Sequence, residues 1–363
     1  MTRVQNGSLS HTRRSVIRAG AVMGGSLAGI AVGIPAANAR QEATPGASPV
    51  VSQVGGTVTI YSGRSEELIG PAIELCSEAT GVEAEVRYGQ TAELAATIVE
   101  EGENSPASLY IAQDAGALGQ LAQEGRLAEL PESILARVDE RFRSPDGQWV
   151  GLTGRARVLV YNTEILSEDE LPESVFDLTN ERWQGQVGWA PENGSFQAFV
   201  TAMRQVVGEE QTREWLEGMI ANNAESFESN GAITRAVGAG EIPVGLVNHY
   251  YMYEVQAEEG EELPIANYYF PNGDVGSLIN VAGAAVLQDA PDQEQALAML
   301  DCLLSQDAQQ YFADTTFEYP LIEGVEPVEE LPPLSEIDSP DIDLSDLADL
   351  QGTLDLLRDV GAI

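Results

Sequence analysis

The sequence predicts an α/β protein of two lobes, each a central sheet flanked by helices, and three observations carry that expectation. From Thr57 onward, short β-rich runs alternate with amphipathic stretches of helical period. Once an export signal of 39 residues is set aside, about 324 of the 363 residues remain, more than one core usually serves. Finally, the stretch "VNHYY" at 247–251 follows directly on a predicted strand, the place where α/β folds gather ligand groups.

The elements follow in order. Residues 1–39 carry Arg13 and Arg14 in "HTRRSVIRAG", a short Gly-rich apolar run, and "ANA" at 37–39. That order predicts a Tat-type signal cleaved after Ala39 rather than a membrane anchor. The first cysteine is Cys76, so no lipid anchor is expected; export to the periplasm or the outer cell face, without membrane insertion after cleavage, is. Residues 40–56 have linker composition. "TVTIYS" predicts a strand, "SEELIGPAIELCSEAT" a helix ending at Gly81, "VEAEVRY" a strand and "TAELAATIVEEG" a helix. "SLYIA" (strand) and "AGALGQLAQEG" (helix) complete a pattern that predicts parallel strands covered on both faces. After an irregular stretch near 130–150, strands are expected at "VLVYN", "QVGWA" and "IPVGLVN", with helices at "SFQAFVTAMRQVV" and "QTREWLEGMIA". The long apolar run "GSLINVAGAAVL" precedes the helices "QEQALAMLDCLLS" and "AQQYFA". Residues 325–341 are Pro-rich, acidic and expected to be extended, and "DLSDLADLQGTLDLLRDVGA" reads as one terminal helix packed on a lobe. Cys76 and Cys302 fall on apolar helix stripes, where one disulfide or two buried thiols would fit equally.

Charge narrows the partners. The chain has no lysine, 18 arginines and 58 acids, for a net −40; the expected mature chain, with 14 of those arginines, reaches −44. Such a surface repels nucleic acid and anionic membranes, and it suits a salty medium. The acids are spread along the chain rather than gathered into one metal cluster. Catalytic parts are missing: His249 is the one histidine beyond the signal, and no Gly-x-Ser-x-Gly, Ser-x-x-Lys, phosphate loop or dinucleotide fingerprint occurs. A binding role gains by elimination over a two-lobed hydrolase or lyase.

Tyr250 and Tyr251 are adjacent phenols. Neighbours on a strand face opposite ways, so both reach one ligand only where the backbone turns. Phenolate is a hard oxygen donor suited to a hard, highly charged cation, whose own charge favours ionisation. An aromatic cluster closing a core would use the same residues.

With "VTIYSGRSEEL", "TGRARVLVYN", "ENGSFQAF", "NHYYMYE" and "EYPLIEGVEP", spread from about 58 to 327, the chain resembles the ferric-ion-binding solute-binding proteins of ABC importers. The resemblance implies a type II periplasmic-binding-protein fold, with hinge strands joining lobes at 57–154 plus 276–331 and 155–275 plus 332–363. It implies a non-enzymatic monomer that binds Fe(3+) and serves a permease and its ATPase. Tyr250 and Tyr251 become the metal ligands. Phosphate or carbonate would sit at Asn193, Gly194 and Ser195, with Asn230, Asn248 and Arg155 as further donors. A helix begins there, which favours an anion independently, although Asn193 or Ser195 could also be an ordinary cap. Three positions depart from the pattern: Ser65 where relatives have a first-strand ligand, Gln113 (followed by Asp114) in place of a glutamate, and Phe196 in place of a third tyrosine. Asp114 or His249 could substitute, with Ser65 and Gln113 lining the cleft. A polyamine, an anion or an iron chelate are the other solutes to weigh.

Overall fold

The computed structural model describes residues 53–260 and 262–363. The expected signal peptide and all but the last few residues of the 40–56 linker lie outside them. Strand β1 (Thr57–Ser62), helix α1 (Glu66–Thr80), β2 (Glu83–Tyr88), α2 (Thr91–Glu101), β3 (Leu109–Ala112) and α3 (Ala115–Gln123) form as the alternation predicts. Gly81 ends α1 in the left-handed region at φ 72°, its N–H donating to the Ser77 carbonyl. The irregular stretch holds one α-helical turn, α4 (Glu132–Leu135), and a 3-10 turn at Glu140–Phe142.

Next comes β4 (Val150–Asn162), thirteen residues with every side chain buried. β5 (Val187–Trp189), α5 (Gly194–Val207), α6 (Glu209–Ala221), β6 (Glu225–Ser226), α7 (Asn230–Gly238) and β7 (Val244–Asn248) follow. The chain continues through α8 (Tyr251–Glu259), β8 (Ile265–Tyr268), β9 (Ile279–Val286), α9 (Gln293–Leu303), α10 (Gln306–Thr316) and β10 (Tyr319–Pro320), and ends with α11 (Leu350–Asp359).

The strands run in the order β2-β1-β3-β9-β4-β7-β5-β6, with β8 and β10 also on β4. The sheet is mixed, which corrects the expectation of parallel strands. β1 pairs parallel with β2 and β3, and β5 parallel with β6 and β7. β9 runs antiparallel to β3 and β4, and β7 antiparallel to β4. A local pattern reports burial on both faces, not strand direction, and buried antiparallel strands read alike. β4 is the shared element. Its residues up to Ala156 pair with β9 in the first lobe, and those from Arg157 pair with β7 in the second. One long strand thus passes from lobe to lobe, the hinge geometry the fold requires.

The terminal helix is broken. Residues 344–348 form a 3-10 turn, Asp349 caps the next helix by accepting from the Gly352 N–H, and only α11 is α-helical. The turn packs mainly on α3 and also touches α5, while α11 packs on α5. Cys76 of α1 and Cys302 of α9 are joined in a disulfide, Cα–Cα 5.6 Å.

Candidate functional site

A cleft of about 410 Å³ opens beside the point where β4 changes lobe. β7 delivers its far wall. The strand ends at Asn248, Tyr250 takes helical backbone (φ −70°, ψ −22°), and α8 starts at Tyr251. This turn is what lets adjacent phenols face one space. Their rings lie 4.4 Å apart, tilted by 31°, and both line the cleft. Burial pushes the Tyr250 phenol well above its ordinary 10, and the neighbouring Tyr251 adds to the rise. Tyr250 is therefore neutral at pH 7 until something cationic displaces its proton.

Asn193, Gly194 and Ser195 line the same cleft at the start of α5. The cap is present: the Ser195 N–H donates to Asn193 Oδ1 at 3.0 Å. Among the described residues no hydrogen bond reaches the Gly194 N–H, and a side chain there would meet open space. Asn230 is fully buried and absent from the cleft wall. Its Nδ2 donates to Asn193 Oδ1 (3.2 Å) and Ser195 Oγ (3.1 Å), so it supports the loop from behind rather than facing a ligand.

β4 supplies the cations. Arg155 and Arg157 alternate with apolar residues, so period-two geometry puts both on one face, and both line the cleft. Arg155 donates to the Gln113 carbonyl. Arg157, which the sequence reading missed, is 2% exposed. It donates to the Leu246 carbonyl at 2.9 Å and lies 3.4 Å from both Ser195 Oγ and Asn248 Oδ1. Among the described residues no carboxylate pairs with it. Its charge rests instead over the Phe196 and Phe199 rings, at 5.6 and 5.4 Å. Phe196, the departure from a third tyrosine, is thus a seat for Arg157. Burial lowers the Arg157 pKa to about 9, with Tyr251 and Tyr250 partly offsetting it, so it stays charged at neutral pH. The alternation "GRARVL" was the signal available in the sequence.

The substitute ligands fare differently. Asp114 lines the cleft but is the cap of α3, accepting from the Ala117 N–H at 3.3 Å. Burial raises its pKa, and Arg155 pulls it back. Gln113 lines the cleft as expected, its Oε1 buried with no partner. His249 is fully buried with both nitrogens engaged, which corrects its reading as a metal ligand. Nδ1 accepts from the Ala156 N–H at 3.1 Å and Nε2–H donates to the Phe317 carbonyl at 2.8 Å. Burial holds its pKa down near 4, in keeping with a neutral ring. Ser65 is likewise corrected. It stands exposed ahead of α1 and outside the cleft wall, because Arg64 turns inward to Glu318 and Gly63 takes the lining position. Asn248, expected as an anion donor, lines the cleft.

On the cleft wall, carboxylates are limited to Asp114 and Glu192, against the guanidiniums of Arg155 and Arg157. Among the described residues no group of three or more His, Cys, Asp or Glu side chains could hold a metal, and the two phenols join Asp114 and Glu192 as the hard oxygen donors of the wall.

The sequence matches the family described as bacterial extracellular solute-binding protein over residues 104–343. It is 30% identical over 308 residues to the Fe(3+)-binding periplasmic protein of Serratia marcescens, covering 84% of this chain and 90% of that one. The structure is similar to iron-bound HitA from Pseudomonas aeruginosa, with TM-score 0.78, 35% identity, and 84% and 99% of the two chains covered. It is also similar to a Trichodesmium FutA in complex with iron and citrate ligands, with TM-score 0.75, 26% identity, and 84% and 99% covered.

Proposed function

The chain belongs to the bacterial extracellular solute-binding proteins, and on that premise we propose that it captures ferric iron with an accompanying anion and passes it to an ABC importer. The observation that carries this reading is the pair of cleft-facing phenols, 4.4 Å ring to ring, opposite a buried arginine with no carboxylate partner among the described residues. The phenols become phenolates on the metal, and the anion sits between the metal, Arg157 and the start of α5. Charge requires that anion. Even with the Asp114 and Glu192 carboxylates counted beside two phenolates, the negative charge of the wall falls short of a trivalent ion plus Arg155 and Arg157, so the excess falls to a mobile anion. A polyamine is disfavoured, because two guanidiniums line the wall it would occupy. The permease and ATPase are the partners of such a protein; no bond in the solute is made or broken.

Burial keeps Tyr250 neutral, so a metal that binds it displaces at least one proton. Affinity for ferric iron therefore rises with pH through the neutral range.

Titration with a ferric donor, followed by visible absorbance, tests the reading. Wild type should develop a phenolate-to-iron band. Tyr250→Phe and Tyr251→Phe should each weaken affinity by more than about a hundredfold, since even indirect partners of a bound metal are worth about that much. Spectra identical across wild type and both variants would refute direct coordination. A second reading, a ferric chelate of a small polycarboxylate, is favoured by the cleft of about 410 Å³, which exceeds one ion and one small anion. The same titration with phosphate, bicarbonate and citrate ranks the anions.

A further inference from the structure

The C-terminal segment closes one end of the cleft. Leu347, Ala348 and Leu350 belong to the same wall as Tyr250, Tyr251 and Arg157. The segment is anchored to both lobes: 344–348 seats on α3 and also meets α5, where Gln205 donates to the Asp346 carbonyl at 3.4 Å, and α11 packs on α5. On the first lobe, α3 presents Gly119, where an added Cβ would stand 2.5 Å from the Ser345 carbonyl oxygen. Gly116, one turn earlier, would bring a Cβ 2.4 Å from the Leu347 oxygen. Two glycines one turn apart make a seat that only backbone can occupy. On the second lobe, Arg204 of α5 donates to the Asp349 carbonyl (3.1 Å), to Asp349 Oδ2 (2.9 Å) and to Thr353 Oγ1 (3.0 Å). The hydroxyls of Thr201 and Thr353 meet at 2.7 Å, both residues fully buried. Leu344 and Leu347 are buried on the α3 side, Leu356 and Leu357 on the other.

The hinge strand β4 and this segment join the lobes at different places. The helix break at Asp349 falls where the chain passes from its seat on α3 to the Arg204 contacts, so the segment spans both lobes rather than covering one. We infer that residues 344–359 are a strap that limits the separation of the lobes and thereby sets how fast the bound solute leaves. A solute in the cleft escapes only as the lobes part, and parting must lift 344–348 off α3 or strip the segment from α5, Asp346 from Gln205 and Asp349 and Thr353 from Arg204.

The test uses the full chain with one change at each anchor, neither residue lying on the cleft wall. Gly119→Ala should strengthen α3 by helix propensity, so any loosening it causes points to the strap. Arg204→Ala cuts the other anchor and leaves α3 untouched. With no solute, both variants should show a larger radius of gyration by small-angle X-ray scattering and faster amide exchange in 344–359. With ferric iron loaded, release to an excess chelator should quicken by roughly tenfold, the size of one charge-assisted hydrogen bond, with the band wavelength unchanged. Wild-type scattering, exchange and release in both variants would overturn the proposal. The scattering and exchange measurements need no iron. A wrong solute assignment would therefore appear as a missing band, while those two measurements still decide whether the strap holds the lobes.

Discussion

Arg64 and Glu318 stand 254 residues apart and meet in the core through two parallel hydrogen bonds, at 3.0 and 2.6 Å. Side-chain exposures of 1% and 3% make this a buried ion pair, so breaking it leaves a charge with no water to turn to. Thr153 and Thr316 complete the shell. Although burial works against it, Arg64 holds the Glu318 carboxyl below its ordinary 4.5. A depressed carboxylate pKa contributes stability that is present above the unfolded value and lost as pH falls through the folded one. Glu318→Gln should therefore cost about 3–5 kcal/mol at pH 7, with Arg64 left unpaired. The variant should also lose part of the fall in stability that wild type shows below about pH 4.5. Denaturant titrations from pH 3 to 7 check both, and parallel wild-type and variant curves would contradict the assignment. Residue-scale features of this kind were the least legible in the sequence. Nothing local links Arg64 to Glu318, and Arg157 differs from Arg155 only in the contacts its strand register makes. Tyr250 and Tyr251 were legible because rare residue types crowded together. His249 shared that crowding, but its ring is consumed by backbone groups that only the assembled fold brings near.

Elements were legible where hydrophobic period and caps agreed. β1 through α3 fall close to their expected bounds, and α5 starts behind its Asn193 cap. Three failures have physical causes. α8 begins inside the tyrosine cluster, whose aromatic residues favour strand over helix by propensity, so tertiary packing decided it. α7 went unpredicted although Ser229 accepts from the Ala232 N–H, an ordinary cap in a loop-like sequence. β4 runs eight residues further towards its start than "VLVYN" suggested, because "VGLTGRAR" is buried yet mixes glycine, threonine and arginine. The disulfide belongs at this scale, since it fastens α1 to α9 on the first lobe across 226 residues of chain. A loop of that length restricts the unfolded ensemble by about 5 kcal/mol in the chain-entropy picture. Replacing both cysteines with alanine should lower stability by up to that amount, with the ferric band unchanged because the bond lies in the shell of one lobe. An unchanged unfolding midpoint would mean that the bond adds no net stability.

At the scale of the molecule, a chain of net −40 draws cations to its whole surface, while Arg155 and Arg157 make one cleft locally receptive to an anion. A metal–anion pair satisfies both fields, and neither partner alone does. Among the described residues no helix is long and apolar enough to cross a membrane. Two lobes were legible from length and alternation. The exchange of partners along β4 was not, because a strand buried on both faces carries no mark of which sheet it joins. The central claim is that the two phenols bind ferric iron while an anion at the start of α5 completes the shell. Anomalous X-ray scattering at the iron edge, from crystals grown with a ferric donor and phosphate, tests it most directly. One peak is predicted within bonding distance of both Tyr250 Oη and Tyr251 Oη, with the anion between the metal and Arg157. A peak bonded to neither phenol, or none at full loading, would contradict it.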